Sequence, residues 1–276
     1  MKAFPAFGVL LKASSQRKAI ESVLLENSGL PNPRGNPRGN VELAQSFARS
    51  LAAVRLEDWH WKMLAEWQRK SPQAAPTNSA LEYLPFCAAL SMGVLYTGVP
   101  RPEKRRALAQ IEQAARDPRW RPREAAAMAL QAIGENDPGA LRDIVAKWMP
   151  SADFLQKRAI VAGLAHPPLL GDAAFTLFCL STVDAILESL ARAGRAARGR
   201  EDFRVLRQGL AYALSVFADK LPEAGFPLLA KWAAVDDADV KWVLRENLKK
   251  KRLAERHPRE AEAILRALNE GRAAGR

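Results

Sequence analysis

Short amphipathic runs, each closed by a proline or glycine break, constrain this chain more than any other feature. The stretch Asp117-Pro-Arg-Trp-Arg-Pro-Arg-Glu-Ala-Ala-Ala-Met-Ala-Leu130 shows the unit. An Asp-Pro turn leads into an aromatic-basic-acidic cluster, then into an alanine-rich run ending at Ile133-Gly134. Ala126, Ala129, Leu130 and Ile133 recur at i, i+3, i+4 and i+7, one apolar stripe of an α-helix. Because small side chains dominate the stripe, it predicts a neighbouring helix at close range.

The same unit recurs downstream. Helical periodicity covers 103–115, 121–133, 139–149, 154–165, 173–193, 203–217, 224–232, 239–250 and 258–268. Asp-Pro at 117–118 and 137–138, Pro167-Pro168, Gly194 to Gly199 and Pro222 separate the runs. No stretch alternates with the period of a strand, so the fold class is all-α. Arg123, Arg158, Arg207 and Arg245 head the second helices of successive pairs, at intervals of 35, 49 and 38 residues. Paired antiparallel helices at that spacing predict a HEAT-like α-solenoid, an armadillo-type superhelix with one continuous core. An Asp at a turn and an Arg further along also suit ion pairs that hold neighbouring repeats together.

Upstream, helices are expected at 16–26 (capped by Ser14 or Ser15), 41–54, 58–67 and 81–96. Trp59, Trp61 and Trp67 read first as packing, and 81–96 is apolar on all sides. The tandem Asn32-Pro-Arg-Gly35 and Asn36-Pro-Arg-Gly39 excludes helix and central strand. It reads as a surface turn or, through Arg34 and Arg38, as a phosphate-touching loop. The expected organisation is a single solenoid domain over 1–276, with 1–98 an irregular N-terminal helical cap and 99–276 HEAT-like repeats.

Lys and Arg outnumber Asp and Glu by 42 to 30, for a net charge of +12. Such an excess suits a polyanionic partner, nucleic acid before an acidic protein or membrane surface, or charge spread for solubility. Gly194-Arg-Ala-Ala-Arg-Gly-Arg200, followed by Arg204 and Arg207, reads as a basic loop for phosphates or as a solvated one. Lys249-Lys-Lys-Arg252 closes a predicted helix, where cations meet the negative end of the helix dipole or, in a second reading, contact a DNA backbone. Cys87 and Cys179 each sit in an apolar run, which predicts reduced, buried thiols and a cytoplasmic protein. The apolar stretch 1–11 is cut by Lys12 without a small-residue cleavage site, so neither a secretory signal nor a membrane span is expected. The three histidines are scattered and neither cysteine has metal-ligand spacing, so no metal is expected. Walker, Rossmann, nucleophile-elbow and kinase signatures are all missing, and no cofactor is expected.

Two segments carry a family resemblance. Phe203-Arg-Val-Leu-Arg-Gln-Gly-Leu-Ala-Tyr-Ala-Leu-Ser-Val-Phe-Ala-Asp-Lys-Leu-Pro222 and Asp153-Phe-Leu-Gln-Lys-Arg158-Ala-Ile resemble the HEAT-like-repeat DNA glycosylases of the AlkD type. Those bacterial enzymes remove alkylated purines. The resemblance spans about 103–258, while the N-terminal part looks like a broader set of bacterial HEAT-repeat proteins. It implies a functional Trp and acid at Trp120 and Glu124, a phosphate-contacting Arg158, and a second cleft aromatic at Tyr212. With the basic loop, the nucleic-acid-binding set becomes Arg158, Arg195, Arg198, Arg200 and Arg207. In that family aromatic faces stabilise a cationic alkylpurine and a carboxylate stabilises the oxocarbenium-like sugar. Here Glu stands for the family's Asp and Tyr for its Trp, and Pro122 lies between Trp120 and Glu124. Two readings stay open. One is a DNA-binding relative of the glycosylases, active or degenerate; the other is a HEAT-like scaffold holding a protein partner without chemistry.

Overall fold

The computed structural model describes residues 7–31 and 39–273, with side chains through Asn269. Residues 32–38, and with them Arg34 and Arg38 of the tandem, lie outside the described residues. Among the described residues the regular elements are helices and none is a strand. The contacts divide the chain into two compact units, 1–137 and 138–276, and the division falls at the second Asp-Pro break.

The first unit holds α1 (Phe7–Leu10), α2 (Arg17–Glu26), α3 (Val41–Ala52), α4 (Asp58–Gln68), α5 (Tyr83–Tyr96), α6 (Arg101–Ala115) and α7 (Trp120–Asn136). Helix α5 is its axis: every residue except Val94 is buried, as an all-round apolar sequence requires. α3 and α7 flank α5 on one layer, and α4 and α6 pack over it. The small-residue stripe of α7 meets α5 at Gly93, where an added Cβ would lie 2.3 Å from the Ala129 Cα. Among the tryptophans, Trp67 is fully buried and donates to Glu21 Oε1 at 2.7 Å, Trp61 is 5% exposed, and Trp59 stacks on His60 at the edge.

The second unit holds α8 (Pro138–Trp148), α9 (Phe154–Leu164), α10 (Ala173–Ala191), α11 (Arg195–Arg198), α12 (Glu201–Lys220), α13 (Pro222–Ala233), α14 (Ala238–Leu248), α15 (Lys251–Ala254) and α16 (Pro258–Ala273). α9, α12 and α14 lie side by side, with α10 and α13 packed behind them and α16 against α13 and α14. Phe203, Leu206, Leu210, Leu214 and Phe217 form the buried stripe of α12. Asn247, fully buried, ties α14 to α12 by donating to Leu210 O (2.9 Å) and accepting from Ser215 N (2.8 Å). Helix α10 is long and apolar enough to cross a membrane. Here it packs within the unit, burying Phe175, Cys179, Val183, Ile186, Leu187 and Leu190. Burial pushes the Cys179 thiol up to about 12 and raises that of Cys87 as well, so both are inert as nucleophiles.

Caps account for several helix starts. Asn40 accepts from Leu43 N (3.1 Å), Asp172 from Phe175 N (2.6 Å), and Asp153 forms a reciprocal box with Gln156. Three local expectations are corrected. Ser14 to Gln16 is a 3-10 turn, so α2 begins at Arg17 without a side-chain cap. Gly194 to Gly199 is no open loop, because α11 occupies it and Arg198 anchors it. The run expected over 239–250 ends at Leu248; Lys250 is extended, which turns the chain so that Leu253 enters the core.

Candidate nucleic-acid interface

In the first unit, the 117–124 cluster is largely architectural. Arg119 is 3% exposed and donates to both carboxylate oxygens of Asp117 (2.8 and 2.7 Å), to Ala75 O (3.0 Å) and to Lys70 O (2.9 Å). Arg121 is fully buried, paired with Glu82 and donating to Asn78 Oδ1 at 3.1 Å. Together they pin the 71–79 connection to the α6–α7 turn. Arg123 donates back to the carbonyls of Asp117 (2.9 Å) and Pro118 (2.7 Å). Trp120 opens α7 itself, one residue earlier than the periodicity suggests, and Pro122 falls in the first turn, where it displaces no helical bond. Trp120 and Glu124, both half-buried, therefore stand one regular turn apart on one helix, with the Arg121 guanidinium 4.8 Å from the indole centroid.

In the second unit, two of the predicted phosphate-binding arginines are engaged within the protein. Arg198 pairs with Asp237 (2.6 Å) and Asp239 (2.7 Å) and donates to Ala191 O and Ala193 O, both at 2.8 Å. Its hydrogen bond to Asp237 raises the guanidinium above its ordinary value against the opposing effect of burial. Arg207 pairs with the same Asp239 and lies over the Trp242 ring at 4.5 Å. Asp-to-Arg ion pairs of this kind are what the sequence pattern also allowed. Arg200 is exposed and paired with Asp202, while Arg195 is exposed and forms no ion pair with a described residue.

A different set of cations surrounds Tyr212. This side chain is 49% exposed on α12. Arg252 sits 4.7 Å from the ring centroid and donates to the hydroxyl at 2.9 Å; Lys250 lies 5.9 Å from the same ring. Neither forms an ion pair with a described residue. On the preceding turn of α12, an added Cβ at Gly209 would lie 3.2 Å from Arg158 Cγ, so the Arg158 stem rests on the backbone there. Arg158 and Tyr212 thus lie about one turn apart along α12, together with the α14–α15 turn. Lys250 and Arg252 were not among the site residues the sequence suggested; the basic run 249–252 was visible, but its place beside an aromatic 40 residues earlier was not.

The chain matches no protein-family model and no curated protein. What remains is the geometry. Residues 138–276 carry a net charge of +6, and 249–259 supply +5 of it. Lys249, Lys251 and Arg256 do pair with Glu246, Glu255 and Asp219 (2.6, 3.9 and 2.9 Å), yet all three cations are mostly exposed. Such surface pairs are weak and yield easily to a stronger anion. Among the described residues no group of His, Cys, Asp and Glu is arranged to hold a metal ion.

Proposed function

We propose that this protein binds duplex DNA through backbone phosphates and releases no base. The observation that carries the reading is the concentration of the second unit's excess charge in 249–259, from which Lys250 and Arg252 reach the exposed ring of Tyr212. Ammonium and guanidinium groups on a short turn neutralise phosphates and release counterions, an affinity that needs no base contact. Arg158, on the same side of α12, extends the basic face.

The layering in each unit supports a HEAT-like repeat. The second helices α3, α5 and α7, and again α9, α12 and α14, form one layer; first helices such as α4 and α6, or α10 and α13, form the other. The intervals of the leading arginines support the same reading.

Base excision of the AlkD type is not part of the proposal. A cationic alkylpurine needs an aromatic face free of positive charge, whereas Tyr212 already receives Arg252 and Lys250. Duplex binding measured by anisotropy against salt tests the function. A linear fall of log K with log salt, with a slope of about −0.9 per neutralised phosphate, is the expected result. No binding at low salt would overturn it in favour of a groove for a protein partner.

A further inference from the structure

Among the described residues, Tyr212 is the one aromatic side chain that counts with the large exposed apolar groups. A single exposed ring is ordinary by itself. This one differs in being held. It stands in the interior of α12, a helix of 20 residues, and its hydroxyl accepts from Arg252 at 2.9 Å. The Arg252 guanidinium lies 4.7 Å from the ring centroid and the Lys250 ammonium 5.9 Å. Nearly half of the side chain still faces water.

Phosphate binding accounts for the cations but not for the ring, since neutralising a backbone needs charge alone. A base inside a duplex is stacked on its neighbours and offers a protein only its edges. An unpaired base offers its face, and stacking on an aromatic side chain tolerates every base. The cations beside the ring select among bases as well. They oppose a cationic alkylpurine, whereas the π-face of a neutral base attracts them.

We propose that the Tyr212 ring stacks an unpaired base while Lys250 and Arg252 meet the adjoining phosphates, so that the protein binds DNA with a single-stranded gap more tightly than intact duplex. This rests on the reading of the basic face as a DNA surface.

Anisotropy titrations of the full chain at one salt concentration test it with three DNAs of equal length. One is an intact duplex, one carries a short single-stranded gap, and one has a gap made of abasic residues. The last two have the same phosphates and differ only in the bases. The gapped duplex should bind about fivefold or more tightly than either of the others. 5-Iodouracil in the gap should photocross-link to Tyr212, read by peptide mass spectrometry. Tyr212→Phe should keep the preference for the gap with bases, and Tyr212→Leu, which keeps apolar bulk without a π-face, should abolish it. Equal affinity for the gapped and abasic DNAs, with binding that still weakens as salt rises, overturns the stacking and leaves phosphate binding standing. A preference that survives Tyr212→Leu overturns the assignment to this ring. Should Tyr212→Leu not fold, cross-linking of the parent protein decides, and cross-links only to other residues overturn the assignment. Absence of binding to all three DNAs at low salt overturns the DNA reading itself and the proposal with it.

Discussion

Arg121 and Glu82 form an ion pair from which water is excluded, their side chains being 1% and 0% exposed. The same Glu82 oxygen accepts from Asn78 N at 2.7 Å, while its other oxygen has no partner among the described residues. Removing one member therefore strands a buried charge. Arg121→Met should lower stability by about 3–5 kcal/mol in urea unfolding. Arg121→Met combined with Glu82→Gln should recover part of that loss, since no charge is then left unpaired.

Gly93 sets the distance between α5 and α7. A Cβ there would lie 2.3 Å from the Ala129 Cα and carbonyl oxygen, which cannot move without the helix. Gly93→Ala should cost about 1–3 kcal/mol or more, and Gly225→Ala, facing Ala218 at 2.4 Å, a similar amount. Gly171→Ala is the control, because nothing lies within 4 Å of the added atom; its effect should stay within about 0.5 kcal/mol. Thermal and urea unfolding read all three.

Acid stability should depend on Asp237. Burial raises its carboxyl, but the Arg198 hydrogen bond and the backbone amides of Val240 and Asp239 outweigh this and hold it below the usual carboxylate range. A carboxylate lowered on folding adds stability above its unfolded value and loses it as pH falls through the folded one. Asp237→Asn retains the capping oxygen and removes the charge. It should be less stable than the parent by about 1–3 kcal/mol at neutral pH, with the difference shrinking as pH falls through the lowered range of the folded carboxyl. Equal stability at pH 7 would show that Asp239 and the carbonyls of Ala191 and Ala193 suffice to hold Arg198.

Replacing Lys249, Lys250, Lys251 and Arg252 by alanine should weaken DNA binding and make the salt slope shallower by about 0.9 for each phosphate that these cations neutralise. Arg198→Ala should instead lower stability, because this guanidinium is bound to Asp237 and Asp239. Tyr212→Phe should change affinity little, as it keeps the ring and removes only the hydroxyl that accepts from Arg252.

Incubation with alkylated duplex should release no purine above background, and Glu124→Gln should leave that result and DNA affinity unchanged. Release that depends on Glu124 would restore the glycosylase reading.

The sequence by itself determined the helices. A period of 3.6 with proline and glycine breaks is a local property, and it placed α3, α6, α9, α10, α13 and their neighbours to within a few residues. The small-residue stripe on α7 also announced a close neighbour, and the all-apolar α5 announced a buried one. Both follow from side-chain size and polarity alone. What no local pattern contained was the partner. Only the tertiary structure chose Gly93 for Ala129, Glu82 for Arg121, and Asp237 and Asp239 for Arg198. A guanidinium reads the same in a sequence whether it ends in water, on a phosphate or on a buried carboxylate. For that reason Arg198 and Arg207 looked like phosphate ligands and are held within the second unit, while Lys250 and Arg252, legible as a helix terminus or a backbone contact, cover Tyr212. The deciding quantity is desolvation, which depends on the packing of residues tens of positions apart.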